Sequence, residues 1–197
     1  MTVRIIGAMS LSRKDQIKQT AAKMFRKRGY QATSMRDIAK ELGMEAPSLY
    51  NHIRSKQQIL SELLLMVADE FTQGMAKVKR SVGPESAQLE QLVKLHVDIT
   101  MEHSDAVSLL TGEWVHLEKE VAEEFIKKRD AYEQDFRTIL KASIEKGHLE
   151  KVDVELALFS ILSTLRWLYS WCGRNPEVNR RKLEKQMVKI LLPRKKS

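Results

Sequence analysis

The sequence predicts an all-α protein. Its 197 residues include only eight glycines and four prolines, so few positions interrupt a helix. Apolar residues recur three and four positions apart along most of the chain, and no sustained run alternates apolar with polar residues as a half-buried strand does. A chain of this length can bury a substantial core, and it accommodates one small helical unit followed by a larger one.

The predicted helices begin at capping residues and end near glycine or proline. Ser12, Ser34 and Ser55 each stand three residues before an Asp or Gln, a spacing typical of a helix N-terminus. The first helix is predicted at 12–29, and a long fourth helix at 56–80 ends before Gly83. Beyond that break the pattern predicts five further helices, at 85–103, 105–117, 119–147, 153–173 and 177–192.

Residues 33–56 have the pattern of two short helices joined by a glycine turn. Four apolar residues at helical spacing give the first of them one buried side, namely Met35, Ile38, Ala39 and Leu42. Gly43 ends this helix, and Pro47 suits the first turn of the next. Leu49 and Ile53 point back to the core, which leaves polar and aromatic residues outside. This layout is a helix-turn-helix.

The segment resembles the DNA-binding domain of the tetracycline-repressor (TetR) family of bacterial transcription regulators. The resemblance runs from about residue 13 to 65 and is carried by Phe25, Gly29, Tyr30, Ala32, Thr33, Arg36, Asp37, Ile38, Ala39, Gly43, Leu49, Tyr50, His52, Ser55 and Lys56. Asn51 departs from the pattern where the family often has an aromatic residue, and Ile53 where it usually has phenylalanine. The resemblance implies a DNA-binding domain at 1–57, beginning with an N-terminal arm at 1–11, and an effector-binding and dimerisation domain at 58–197.

The resemblance also implies which residues contact DNA. Phosphate contacts are expected from Thr33, Tyr50, His52 and Lys56, base contacts from Ala46, Pro47, Ser48 and Asn51, and a further outer-face contact from Arg36. Only base-edge contacts specify sequence, and the Asn51 amide has the paired donor and acceptor that suit adenine. It is equally able to bond a phosphate or a water. The expected partner is a palindromic operator bound by a homodimer.

Charge is distributed unevenly along the chain. Residues 1–57 hold 12 Lys and Arg against 4 Asp and Glu, residues 58–173 hold 13 against 20, and residues 174–197 hold 9 against 2. A basic N-terminal unit attracts the phosphate backbone, and an acidic middle is repelled by it. The charge distribution therefore orients the N-terminal unit toward DNA.

The helix predicted at 153–173 is apolar around most of its circumference, so it needs cover beyond a single packed face. We expect that cover from a second copy of the chain, in a four-helix bundle with the helix at 177–192. The residues predicted for this dimer interface are Leu158, Ile161, Leu165, Leu168, Leu183, Met187 and Ile190.

Candidate effector-binding residues lie in the second half of the chain. Arg129 lies on an apolar helical stripe, so its guanidinium must bind an anion, pair with a nearby glutamate or extend into solvent. The other candidates are His96, His103, Trp114, Tyr132, Phe136, Trp167 and Trp171. His96 and His103 are two helical turns apart, roughly 10 Å, which is too far for them to share a metal ion without a third element, so we predict core or pocket-lining histidines and no metal site.

The last third resembles the C-terminal half of TetR-family regulators of fatty-acid and steroid catabolism, which respond to acyl-CoA thioesters. The residues that carry this resemblance are Lys128, Arg129, Tyr132, Phe136, Gly147, Asp153 and the run Arg166 to Trp171. It implies a repressor released by an acyl-CoA-like effector. One alternative is a multidrug-type sensor, in which Asp98, Glu102, Asp105 and Glu113 select cations. Another is a helical protein-interaction module without an operator.

Other function classes lack support in the sequence. There is no nucleophile–base pattern, no glycine-rich phosphate loop and no paired catalytic motif, so an enzyme and a cofactor are not expected. No apolar run approaches the roughly 20 residues that span a bilayer. The single Cys172 cannot form an internal disulfide, which is typical of a reducing compartment, and we expect a cytoplasmic protein without a membrane partner.

Overall fold

The computed structural model describes residues 11–193, and the regular elements within them are helices. In chain order these are α1 (Arg13–Arg28), α2 (Met35–Glu41), α3 (Ala46–Tyr50), α4 (Lys56–Arg80), α5 (Glu85–Glu102), α6 (Ser104–Leu109), a 3-10 helix (Glu113–His116), α7 (Lys119–Glu145), α8 (Val154–Arg166), α9 (Leu168–Arg174) and α10 (Arg180–Leu191). The predicted all-α class is confirmed. None of the described helices is long and apolar enough to cross a membrane. The arm expected at 1–11 lies, except for its last residue, outside the described residues.

Side-chain caps begin the first helices where the sequence predicts them. Ser12 and Ser55 each accept a hydrogen bond from the backbone N–H three residues ahead, at 3.1 and 3.0 Å. Ser34 and Asp37 form a reciprocal capping box at the start of α2. Gly43 has a φ of 62°, a left-handed conformation that glycine adopts without strain, and it lies in the turn between α2 and α3. The predicted bounds of α1 and α4 are confirmed.

Two predicted helices are interrupted. The single helix predicted at 105–117 is wrong, because α6 ends at Leu109 and the 3-10 helix begins only after Gly112. The helix predicted at 153–173 breaks at Trp167, whose φ of −90° and ψ of 0° end α8 and begin α9. Apolar periodicity indicates which side of a segment is buried, but it does not indicate where the helix axis changes direction.

α4 belongs to two apolar clusters and connects the two halves of the chain. Its N-terminal half carries Leu60 and Leu64, fully buried, into a cluster shared with α1, α2, α3 and α6. Its C-terminal half carries Met75 and Val78 into a second cluster shared with α5, α7, α8 and α10. Because α1 also packs directly on α6, the helix-turn-helix is held by helices that belong to the larger unit. The domain boundary at residue 57 stays a prediction.

Most residues predicted for the dimer interface are buried inside one chain. Leu165 is fully buried, and the others with at most 7% exposure are Leu158, Ile161, Leu168, Leu183 and Met187. That part of the prediction is wrong, because α8 packs on α5 and α7, and one chain encloses these side chains in a single apolar cluster. Ile190 is the exception, since 65% of it is exposed.

A different face of α8 is apolar and uncovered. Leu156 and Phe159 are 65% and 68% exposed, values that are high for large apolar side chains. Ile190 of α10 lines a groove together with Ser160 and Thr164 of α8, so α10 borders α8 on this side of the molecule. The exposed apolar surface of α8 and α10 therefore consists of these residues and not of the inward ones.

Candidate functional site

The helix-turn-helix presents the expected outer face. α2 and α3 bury their apolar residues, Met35, Ile38, Ala39 and Leu49, with Ile53 just beyond them. The predicted contact residues that are exposed are Arg36, Pro47, Ser48, Tyr50, Asn51 and His52, while Ala46 is half-buried. Tyr50 is 49% exposed, so its ring and hydroxyl project from α3 into solvent. Which of these side chains contacts DNA stays a prediction.

Thr33 does not lie on this outer face. Only 1% of it is exposed, and its hydroxyl donates a hydrogen bond of 2.9 Å to the backbone carbonyl of Gly29. The carbonyl groups in the last turn of a helix have no partner within that helix, and the Thr33 hydroxyl satisfies one of them at the end of α1. The expectation of an outward Thr33 side chain is therefore wrong, because this residue joins α1 to α2.

Lys56 is held in place by Tyr30. Its ammonium donates to the Tyr30 carbonyl at 2.8 Å and lies 4.2 Å from the centroid of the Tyr30 ring. The Tyr30 hydroxyl donates to Gln57 at 2.6 Å, the His116 ring stacks on the Tyr30 ring, and the Tyr30 N–H donates to Glu113 at 3.3 Å. Two ammonium hydrogens of Lys56 stay available for a phosphate. Tyr30 was part of the sequence pattern, but its position between Lys56 and the 3-10 helix was not predicted.

A cavity of about 340 Å³ lies among α4, α5, α6, α7, α8 and the 3-10 helix. Its volume is in the range of small-molecule sites. The apolar part of its wall consists of Ala68, Phe71, Val107, Leu110, Trp114, Phe125, Leu162, Leu165 and Trp167. Three cationic side chains, those of Lys128, Arg129 and Arg166, line the cavity together with one carboxylate, that of Glu133. An apolar ligand with an anionic group suits this wall.

Five of the predicted ligand-binding residues line this cavity and three do not. The five are His96, Trp114, Arg129, Tyr132 and Trp167. Phe136 is fully buried in the second apolar cluster, behind His96. His103 is turned toward Glu70, with Nε2 3.0 Å from a carboxylate oxygen, and Trp171 lies on α9 beyond the cavity wall. The predictions for Phe136, His103 and Trp171 are wrong, because these residues lie on or at the end of three different helices, each at a position outside the cavity wall.

The cations of the cavity wall differ in how they are paired. Arg129 bonds the carboxylate of Asp130 at 3.0 Å, and its guanidinium carbon is 5.4 Å from the ring centroid of Trp114. Lys128 is 2.8 Å from Asp69, and the hydrogen bond with that carboxylate raises the pKa of Lys128. Arg166 forms an ion pair with Glu133. Arg129 is 37% exposed and Arg166 45%, so both are accessible to a charged ligand group at the edge of the cavity.

His96 and Tyr132 form a buried polar pair in the wall. The Tyr132 oxygen is 2.9 Å from Nε2 of His96, and both residues are at most 9% exposed. Burial, with a smaller contribution from the charge of Arg166, lowers the pKa of His96 to about 3, and burial raises the pKa of Tyr132 far above its usual range. Both side chains are therefore neutral at pH 7.

The acidic residues that would support a cation sensor lie elsewhere. Asp98, Glu102, Asp105 and Glu113 are all absent from the cavity wall. Asp98 is paired with Arg180 at 3.3 Å, and Asp105 with Arg26 at 2.8 Å. The expectation that this acidic set selects cationic ligands is wrong, because none of its members lines the cavity and Asp98 and Asp105 join helices instead.

Arg26 of α1 is held by residues from the second half of the chain. Its guanidinium donates to Asp105 at 2.8 Å and to Ser104 at 3.2 Å, and its central carbon is 5.5 Å from the ring centroid of Tyr169. The Tyr169 ring stacks on Trp167, with 5.8 Å between ring centroids, and Trp167 lines the cavity. These contacts form a continuous connection from the cavity to α1.

Two family models match the chain. "Bacterial regulatory proteins, tetR family" matches residues 17–63, and "Tetracyclin repressor-like, C-terminal domain" matches residues 82–193. The first match contains α2 and α3, and the second contains most of the residues that line the cavity.

Relatives of known sequence or structure agree with these matches. The HTH-type transcriptional repressor KstR2 of Rhodococcus jostii (strain RHA1) is 30% identical over 186 residues, which cover 91% of this chain and 89% of that protein. The fold is similar to that of the ketosteroid transcriptional regulator KstR2 of Mycobacterium tuberculosis, with a TM-score of 0.86, 24% identity, and coverage of 98% and 100%. It is also similar to AibR in complex with isovaleryl coenzyme A and operator DNA, with a TM-score of 0.76, 23% identity, and coverage of 92% and 99%.

The family matches and the R. jostii relative decide between the function classes left open by the sequence. A family of DNA-binding regulators favours a regulator over a helical interaction module, and its members are not enzymes. The chain belongs to the TetR family of bacterial transcription regulators.

Proposed function

We propose that the protein is a homodimeric repressor that binds a palindromic operator and releases it when an acyl-CoA, or a related anionic acyl derivative, occupies the cavity. The observation that carries the proposal is the cavity wall, where Lys128, Arg129 and Arg166 outnumber the single carboxylate of Glu133 around an apolar interior. A ligand with an anionic head and an apolar tail satisfies both parts of this wall. A cationic ligand would find one carboxylate in this wall, that of Glu133, which is already paired with Arg166.

The relatives support each half of the proposal. The R. jostii relative is named a repressor, and AibR was solved with an acyl-CoA and operator DNA together. The cavity of about 340 Å³ has the volume for an acyl group but not for a whole acyl-CoA, whose nucleotide would extend past its edge. The guanidinium groups of Arg129 and Arg166 are well placed there, because arginine binds phosphate through paired hydrogen bonds.

A second copy of the chain is the proposed cover for the exposed apolar surface of α8 and α10. Leu156, Phe159 and Ile190 are large apolar side chains exposed on neighbouring helices, and exposed apolar side chains of this kind often mark a protein interface. A two-fold dimer through this surface would present two copies of α3. Helix-turn-helix dimers bind half-sites about 34–36 Å apart, so a small change in the separation of the two α3 helices weakens binding to DNA.

Two sets of contacts connect the cavity to the DNA-binding helices. One runs from Trp167 through Tyr169 to Arg26 of α1. The other runs from Trp114 along the 3-10 helix, through Tyr30, to Lys56. A ligand that displaces either tryptophan is expected to move a residue of the DNA-binding unit, Arg26 in the first case and Lys56 in the second. We propose that these contacts carry the response, in which a ten-fold loss of operator affinity needs about 1.4 kcal/mol of coupling.

The proposal is tested by titrating the protein–operator complex with acyl-CoAs of graded chain length and, separately, with cationic dyes. We expect acyl-CoAs to release the operator and dyes to have no effect. Arg129→Ala and Arg166→Ala are expected to weaken release. Arg137→Ala is the matched control, because Arg137 pairs with Glu155 on the surface and does not line the cavity. Release by dyes but by no acyl-CoA would show that the effector class is wrong.

A further inference from the structure

Thr100 is a buried polar residue without a partner. Only 1% of it is exposed, it lines the cavity, and its hydroxyl oxygen has no hydrogen-bond partner among the described residues. Helical threonines commonly donate to the carbonyl four residues before, as Thr72 does to Ala68 at 2.8 Å. Thr100 makes no such bond, so its hydroxyl hydrogen has no acceptor in this structure. Such groups are rare in native proteins, because leaving them unsatisfied is costly.

The His96–Tyr132 pair leaves a second donor unused. Neutral imidazole carries one N–H and the Tyr132 phenol carries one O–H, so the pair has two donor hydrogens. The single hydrogen bond between Nε2 and the Tyr132 oxygen uses one of them. If the phenol donates, the N–H on Nδ1 of His96 is left over, and if Nε2 donates, the phenol O–H is left over. In either tautomer, one donor has no acceptor among residues 11–193.

These two donors belong to one part of the cavity wall. His96 and Thr100 are four residues apart on α5, so they lie on the same face of that helix, with Cβ atoms about 6 Å apart. Tyr132 of α7 approaches from the other side, and the surrounding wall is apolar. We infer that this part of the cavity binds a carbonyl oxygen of the effector. Thr100 is the residue that selects a ligand with such a carbonyl.

The inference depends on the proposed function in one respect only, namely that the ligand is an acyl compound. A carbonyl oxygen has two lone pairs and accepts both hydrogens, whereas a plain hydrocarbon at the same place leaves both donors buried and unpaired. Sites built to hydrogen-bond a ligand group reject analogues that lack the group more strongly than apolar pockets reject an extra methylene. The carbonyl is either that of a thioester or one further along the acyl chain, and the ligands below distinguish the two.

The test uses two ligand pairs that differ in one carbonyl. The first is decanoyl-CoA against decyl-CoA, a thioether without the carbonyl, and the second is 2-decanone against decane, which contain no CoA. Affinities are measured by calorimetry for the CoA compounds, and by tryptophan fluorescence and thermal shift for the others. Thr100→Val keeps the shape of the side chain and removes its hydroxyl. Thr111→Val is the matched control, because Thr111 also lines the cavity but already donates to the Ser108 carbonyl at 2.8 Å.

We expect the wild type to bind the carbonyl compound of at least one pair about ten-fold more tightly than its partner, a preference that Thr100→Val removes and Thr111→Val keeps. A preference confined to decanoyl-CoA identifies the thioester carbonyl, and one shared with 2-decanone identifies a chain carbonyl. The inference is overturned if Thr100→Val prefers the carbonyl compound as strongly as the wild type does. It is also overturned if the wild type shows no preference for the carbonyl compound in either pair. If 2-decanone binds through Thr100 and no CoA compound binds, the inference stands and the proposed acyl-CoA function fails.

Discussion

Acidification from pH 7 to pH 5 is expected to destabilise the fold through His96. Burial lowers the pKa of this histidine to about 3, while the unfolded chain has the ordinary value of 6.5. The unfolded state therefore binds a proton first, so the stability due to neutral His96 is complete above about pH 6.5 and is lost as the pH falls toward 3. Each pH unit within that window costs about 1.4 kcal/mol, which gives roughly 2 kcal/mol at pH 5.

Urea denaturation at pH 7, 6 and 5 measures this loss. His96→Gln removes the titrating group, so its free energy of unfolding is expected to depend less on pH over this range, by about the same 2 kcal/mol. Tyr132→Phe is the companion variant, because it removes the hydrogen bond of 2.9 Å and keeps the buried imidazole. Its pH dependence is expected to stay close to that of the wild type. If the wild type and His96→Gln lose equal stability between pH 7 and pH 5, the burial argument for His96 is refuted.

Three further predictions concern DNA binding, assembly and coupling. Lys56→Ala is expected to reduce the slope of log K against log[salt] by about one unit, whereas Asn51→Ala changes the preferred bases in a selection from random DNA and leaves the slope unchanged. Phe159→Glu is expected to yield a folded monomer in sedimentation. Leu158→Glu is expected to unfold the chain at a cost of several kcal/mol, because that position is only 4% exposed. A dimer of normal stability with Phe159→Glu contradicts the proposed interface. Arg26→Ala is expected to reduce the effector's influence on operator affinity about ten-fold while effector binding itself persists, and an unchanged response would exclude the contact between α1 and Tyr169 as a route.

Local signals explain why much of the fold could be predicted. Ser34 and Asp37 determine the start of α2 through a contact between residues three positions apart in the sequence. Gly43 supplies a backbone conformation that other residues rarely adopt. The outward positions of Tyr50 and Asn51 follow from the inward positions of Leu49 and Ile53 on the same short segment. These features need no knowledge of distant parts of the chain.

The errors arise where distant residues decide. The apolar circumference of α8 indicated a need for cover, but whether Leu165 is covered by α5 and α7 or by a second chain depends on the packing of the whole unit. Thr33 is an exception, because its partner Gly29 is only four residues away: a threonine hydroxyl bonds either solvent or a nearby carbonyl, and the sequence pattern does not say which. The pairing of Arg26 with Asp105 spans 79 positions, a separation at which a single sequence carries no pattern.

The contacts between the DNA-binding unit and the effector unit have a consequence for recombining regulators. The polar side chains that make contact across that border are those of Lys14, Lys18, Arg26, Tyr30, Gln31 and Gln57, and their partners lie on α4, α6, α9 and the 3-10 helix. A foreign DNA-reading unit that carries these polar residues, and the apolar side chains of α1 that pack on α6, at matching positions would meet the same partners. The response to an effector could then be transferred to a new operator without redesign of the cavity, since none of these polar residues lines it.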